Sequence, residues 1–315
     1  MNFTNTKMIL AISAIASACL LACPSAAQQE TETQTASGSN TDLSFKIHLG
    51  LENSFKAGLD QGGDLSIFRI RAGVTGETSL SQETDLTVSL DYGVDLYNFD
   101  GTTGFGGVDP WEDIHTFGIA AIFTTDMSND WKVFGGPVFQ FAREDNADLD
   151  ESFIGGGVIG ATYKVDSDLT VGGGFGIVSQ IEDDARLFPI FVLNWQIRDD
   201  LVLTSNTSGG ATGKSGIELV YDIGGGWEAG IGGYFEFNRF RLDDEGIAPN
   251  GVGEETRIPI QARLSCELGD YVDLDFFAGF NLTSEVELAD TRGLVLGNDD
   301  LDGAALVGVM FSLSF

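Results

Sequence analysis

The last eleven residues of the chain, Ala305 to Phe315, alternate with a period of two and stop on an aromatic carboxyl terminus. Ala305, Val307, Val309, Phe311, Leu313 and Phe315 form one apolar phase. Gly308, Ser312 and Ser314 mark the other, with Leu306 and Met310 as exceptions. Such a period describes a β-strand with one apolar face, and roughly 9–11 residues suffice for a tilted strand to cross a membrane. A soluble domain rarely ends on its most hydrophobic strand without a polar tail.

The other end of the chain agrees with export. Lys7, the apolar run Met8 to Ala22 and the small residues Ser25, Ala26 and Ala27 describe a secretory signal peptide over 1–27, with cleavage expected after Ala27. Leu20-Leu21-Ala22-Cys23 is a competing lipidation signal, which would make Cys23 the first residue. Cys19 and Cys23 both fall in this leader, which excludes the small disulfide-stapled class. Residues 28–42 are polar and read as a flexible lead-in.

From residue 43 onward no 3.6-residue period appears, and connections follow a two-beat rhythm. Tight turns fall within 81–88, 127–133, 164–171, 196–203, 222–229 and 267–274, each followed at once by an alternating segment. Longer polar connections are expected at 58–64, 100–113, 143–151, 182–186, 205–216, 243–255 and 284–303. Six short and seven long connections give fourteen strands with both termini at the short-turn end, while twelve or sixteen stay open. The spacing therefore predicts an all-β, antiparallel up-and-down transmembrane barrel over 43–315, an even-stranded layout with short periplasmic turns and long external loops.

The outward phase supports this. Leu43 to Leu51, Phe68 to Val74, Leu86 to Leu96, Phe153 to Tyr163, Ile231 to Phe237, Ile258 to Leu268 and Val272 to Leu282 carry no charge on alternate positions. A Lys or Arg facing mid-bilayer lipid costs about 2–4 kcal/mol, so the gap is meaningful. Cys266 belongs to this phase and reads as a small hydrophobe. Trp131, Trp227, Tyr271, Tyr163, Trp195, Tyr221 and Phe315 cluster beside the short turns, where a periplasmic aromatic girdle would sit.

The chain's ending resembles the C-terminal signal of bacterial outer-membrane β-barrels, with Val307, Val309, Phe311, Leu313 and Phe315 as the membrane-insertion signal. In architecture the chain resembles porin-like families of about fourteen strands. It also resembles long-chain substrate transporters of this size, but the lead-in is too short for their N-terminal hatch. The resemblance implies the outer membrane of a Gram-negative-type bacterium, lipid as surroundings and the barrel-assembly machinery as a partner for the last strand.

The inward phase is polar and carries both signs. Lumen candidates are Lys46, His48, Glu52, Arg69, Arg71, Asp91, Asp95, Arg257, Arg263, Asp273 and Asp275. Glu218, Glu228 and Glu236 join the acidic set. Hairpin arithmetic sets Arg69 or Arg71 against Asp95 and Glu52, and Arg263 against Asp275. Each pair taken singly reads as mutual satisfaction of inward charges, whereas the lining as a whole favours water in the bore. The last strand's inward residues close against Lys46 and His48, so the cations Lys46, Arg69 and Arg71 should cluster beside a neutral wall.

Loss of Lys7 with the leader takes the formal charge from −32 to −33, with much of the acid in the long connections. Loops of this sign repel nucleic acid and concentrate cations. Asp299, Asp300 and Asp302 lack the ligand spacing of a calcium loop. GGATGKSG (209–216) has Ser208 where a phosphate-binding loop needs glycine. The two histidines, His48 and His115, have no serine motif or Cys/His cluster beside them, so neither a hydrolase nor a metal or cofactor is expected. A surface hydrolase built on Asp113 and His115 is the outlying alternative. The leading expectation is a passive channel for small hydrophilic solutes with a cation preference. A closed structural or surface-binding barrel, its acidic loops bridging cations, is the alternative.

Overall fold

In the computed structural model the described residues are 43–207 and 215–315. The leader, the lipidation site and the core of the phosphate-loop look-alike lie outside them. Among the described residues fifteen strands are present: β1 (Leu43–Gly58), β2 (Asp64–Ser79), β3 (Thr84–Asp100), β4 (Asp113–Asp126), β5 (Trp131–Glu144), β6 (Phe153–Lys164), β7 (Leu169–Gln180) and β8 (Asp183–Arg198) make the first half. The second half holds β9 (Leu201–Thr207), β10 (Ser215–Gly224), β11 (Trp227–Arg241), β12 (Val252–Glu267), β13 (Val272–Ala289), β14 (Val295–Leu301) and β15 (Ala304–Ser314).

From β1 to β14 each strand pairs antiparallel with the next, β13 also pairs with β15, and β15 returns to β1. Fourteen strands thus close a ring without an edge, leaving no unpaired backbone to face lipid. β14 is the outer continuation of the last strand, separated from β15 by a break at Asp302-Gly303 and paired with the upper end of β13.

All six short turns fall where the alternation put them. Three of the long connections do not, and in 243–255 the residues from Val252 on already belong to β12. Glu182-Asp183-Asp184 reads as loop because three acids stand together, yet Asp183 and Asp184 open β8 with exposed side chains. Only Ile181 and Glu182 make the turn, with Glu182 at φ 52°. The stretch 284–303 is mostly strand, with a turn over 290–294. Strands that rise beyond the bilayer lose the lipid-facing pattern and so look like loops.

The outer surface is apolar in the span a bilayer would cover. Leu49, Phe117, Ile159, Phe175, Phe191, Ile231 and Phe280 are each at least 40% exposed. An unbroken apolar exterior on a closed ring has no place in water. Below it, Trp131 and Tyr163 pack with tilted rings at 4.9 Å between centroids, and Trp195, Tyr221, Tyr271 and Phe315 stand exposed at the same end. Amphipathic rings at one level are what a headgroup boundary selects. Cys266 keeps the outward phase but is only 2% exposed, between its cross-strand neighbours Trp227 and Leu274.

Phe237 departs from its expected outward position. Its neighbour Phe235 makes the last register pair of β11 with β10, opposite Ser215. Beyond that point β11 leaves the ring and ends beside β5, where Arg241 pairs in parallel with Arg143. Phe237 consequently faces the interior cavity, with the Arg186 guanidinium 3.6 Å above its ring centroid. β12 and β13 bend with it at a bulge beside Pro259, where a residue without an N–H breaks the ladder at little cost.

Candidate functional site: a vestibule closed by an ion-pair layer and an apolar cap

The inward-facing side chains form three layers along the bore. Nearest the short-turn end, Lys46 faces Asp273 at 3.7 Å and His48 faces Asp91 at 3.4 Å. These groups remain accessible: the Lys46 side chain is 53% exposed and that of Asp91 43%. In register Lys46 stands opposite Ser314 and His48 opposite Ser312 across the closing seam. The last strand is neutral here, but Asp273 on its other flank supplies the missing acid. The cations therefore do not sit beside a neutral wall.

Deeper in, exposure collapses. Arg69 stands directly opposite both Glu52 on β1 and Asp95 on β3. Its guanidinium meets Glu255 at 2.5 Å, Glu52 at 3.4 Å and Asp95 at 3.8 Å, and is 4% exposed. Arg71 reaches Asp95 at 2.5 Å. Arg257 joins Glu52 at 2.6 Å and also pairs with Glu236, while Tyr97 donates its hydroxyl to Glu255 at 2.6 Å. Glu255 and Arg257 lie on β12, whereas Glu52 and Arg69 lie on β1 and β2, with β13 and β15 between them in the ring. The Arg69–Glu255 and Arg257–Glu52 pairs therefore join strands that are not neighbours in the ring, whereas the other ion pairs link adjacent strands. Removing one member of such a buried pair typically costs about 3–5 kcal/mol because the survivor is left uncompensated.

A second network stands to one side. Arg263 meets Glu218 at 2.8 Å and Asp275 at 3.1 Å, and donates to Ser265 as well. Here Asp275 sits diagonally, its direct partner in register being Ser265. Between the two networks and the short-turn end lies a cavity of about 670 Å³ whose wall carries nine of the lumen candidates named above. Lys46 and Asp273 stand at its outer margin, not on its wall.

Above the ion pairs the bore is filled by an apolar core. Trp111, Phe240, Ile114, Leu65, Val286 and Leu288 are each no more than 2% exposed. Trp111 comes from the connection between β3 and β4, which folds inward. It packs edge-on against Phe240 at 5.3 Å and Phe99 at 5.4 Å between ring centroids. Phe240 arrives on the bent end of β11, so opposite walls of the barrel meet. The flap formed by the upper ends of β11, β12 and β13 is tied down on the far wall. Arg241 binds Glu182 at 2.6 Å and Arg239 donates to the Ile181 carbonyl at 2.8 Å.

In the flap's turn, Asp290 accepts the Arg292 guanidinium at 2.6 Å and the backbone N–H groups of Arg292 and Leu294. These bonds hold its carboxyl below the ordinary aspartate range. Asp299 accepts the Gln61 N–H through Oδ1 at 3.1 Å, a tie between β14 and the first turn.

Glu255, Tyr97, Trp111, Phe240 and Arg239 were not singled out from the sequence. Glu254-Glu255 looked like loop acid, and no local period reports a strand that bends inward. His115 faces outward beside Asp113, with the Tyr92 hydroxyl 2.7 Å from its Nδ1. Among the described residues no group of three His, Cys, Asp or Glu side chains is placed to hold a metal ion.

No protein-family model matches the chain, nor does any curated protein. Among solved structures, an outer-membrane channel from Pseudomonas putida F1 is 9% identical with a TM-score of 0.46, covering 91% of this chain and all of its own. A FadL homologue from Pseudomonas aeruginosa is 13% identical with a TM-score of 0.43, over 86% of this chain and 88% of its own. The translocator domain of the autotransporter NalP from Neisseria meningitidis is 13% identical with a TM-score of 0.37, over 86% and 88%. The closed ring, its apolar exterior and its aromatic girdle make the chain a fourteen-stranded outer-membrane β-barrel of the Gram-negative type.

Proposed function

We propose that this barrel is a gated passive channel for small hydrophilic solutes, shut at its outer end in the conformation described. The observation that carries the reading is the sequence of layers: a polar vestibule, a bore-spanning ion-pair layer, and an apolar cap supplied by a loop and a bent flap. A barrel made only for mechanical support has no need of a water-accessible vestibule with four guanidiniums and seven carboxylates on its wall. Excess carboxylate in that wall and in the loops favours cations over anions once the cap moves. The surrounding lipid and the assembly machinery that reads the last strand belong to the same proposal.

Planar-bilayer recording tests it. The native protein should show rare, brief openings. Trp111→Ala with Phe240→Ala should raise the open fraction at least tenfold, with a reversal potential shifted toward cations. A silent double variant, shown by protease protection to be inserted, would sink the channel reading.

The apolar core across the mouth also favours a second reading, a permanently closed barrel acting as a structural or surface-binding module. It predicts that the same double variant loses stability without gaining conductance.

A further inference from the structure

We propose that the vestibule holds a binding site for a neutral oligosaccharide of two to three rings. The inference deepens the channel reading by naming a solute class, and it rests on that reading only for passage, since binding is measured separately.

Two buried atoms of neutral side chains facing this cavity have no hydrogen-bond partner among the described residues, Nε2 of Gln261 and Oδ1 of Asn238, whereas the Asp95 carboxylate there is held by the Arg71 guanidinium. Gln261 is 7% exposed. Its isolation has a structural cause. On its own row it is flanked by Gly232 on β11 and Gly279 on β13, so neither neighbour offers a side chain to pair with it. Burying a donor unpaired is costly, and a site that keeps such groups loses stability unless something binds them.

The two atoms are of opposite kind, one a donor and the other an acceptor. A hydroxyl group serves either, since it donates one proton and accepts at two lone pairs. A ligand rich in hydroxyls therefore answers both with one functional group. The atoms also lie at different depths. Gln261 is level with Gly232, six positions before Asn238 on β11, at most about 20 Å of extended strand. A single sugar ring spans less than that, and a chain of two or three rings reaches further.

Charge narrows the class. The wall carries three more carboxylates than guanidiniums, which disfavours anions, and each guanidinium is already matched to a carboxylate. A neutral ligand accepts and donates at the edges of those pairs without disturbing them. Tyr234, Phe237 and Phe277 add ring surface for the C–H faces of a sugar. The volume of about 670 Å³ lies within the ~300–1,000 Å³ usual for small-molecule sites.

The test uses the full-length barrel in detergent, with calorimetric titration of maltotriose, sucrose and lactose, and with L-lysine and L-glutamate as charged comparators. Saturable binding of at least one saccharide is expected, with neither amino acid competing. Gln261→Met keeps the volume and removes the unpaired donor. It should weaken saccharide binding at least tenfold while raising the melting temperature of the ligand-free protein. That opposite movement separates a ligand site from a structural glutamine, which would lower the melting temperature when lost. Unchanged affinity in Gln261→Met, displacement by lysine, or no binding of any of the three sugars would overturn the assignment. Binding without conductance leaves the site standing and removes the channel. Conductance without binding does the reverse.

Discussion

At the scale of single residues, the bore combines charge pairs between neighbouring strands, such as Arg69 with Glu52, with pairs that no neighbouring strand could have supplied. Arg257 is the clearest case, because Glu52 reaches it from a strand that is not its neighbour in the ring. Replacing Arg257 by Met should leave two buried carboxylates short of a partner and cost about 3–5 kcal/mol, read as a lower midpoint in urea unfolding from detergent. Tyr97→Phe removes one neutral donor from Glu255 Oε2 and should cost less, about 1–3 kcal/mol. If Tyr97→Phe proved as damaging as Arg257→Met, the layer would depend on the hydroxyl more than on charge. Asp290 acts on a different axis. Its carboxyl titrates below its unfolded value, so the tie it makes is fully present above the ordinary aspartate pKa and is lost as pH falls through the lowered one. Loosening of the 290–294 turn should therefore appear only in strong acid, as faster amide exchange there.

Among the elements, the closing strand β15 is tightly constrained on both sides. A Cβ at Gly308 would meet the Phe277 ring and would lie 2.6 Å from the Leu51 carbonyl oxygen. Phe277 is on β13 and Leu51 on β1, so both walls of the seam depend on this glycine. Gly308→Val should stop the seam from closing, seen as loss of the heat-modifiable folded band on electrophoresis. Retention of that band would show that the seam tolerates a shift of register. This strand was readable in advance because its lipid-facing phase runs unbroken and uncharged from Val307 to Phe315. Such a pattern reports which way a side chain points relative to a straight ring. It stops reporting where the ring bends. Phe237 keeps its alternation and yet faces inward, because β11 has already left β10. Glu285 and Glu287 lie on strand that the eye reads as acidic loop, since above the bilayer nothing selects apolar residues outward. The lumen candidates were legible for the same reason the lipid face was, whereas Glu255, Trp111 and Phe240 required knowing which distant segments fold together.

Over the whole molecule, the barrel divides into a ring that satisfies lipid and an upper assembly that satisfies itself. The ring's inner wall is wet near the short turns and dry at the opposite end. Their boundary is the ion-pair layer, where the Arg71 side chain is 41% exposed and that of Arg69 only 4%. The flap's anchor on the far wall offers a prediction at this scale. Arg241→Met should free the flap from Glu182 and raise the open fraction of the channel several-fold, less than removal of the apolar cap, because one ion pair is weaker than a buried aromatic cluster. Equal conductance in Arg241→Met and native protein would place the gate in the cap alone.

The break at Asp302-Gly303 carries a consequence for the order in which the protein is built. β15 zips to β1 and β13 by itself, and β14 belongs to the upper assembly. The part that must insert is thus covalently next to, but conformationally separate from, the part that stoppers the bore. A nascent ring can complete its seam while its lumen is still hollow. None of the contacts that close the ring depends on those that fill the bore, so the seam and the stopper are separable parts of one chain.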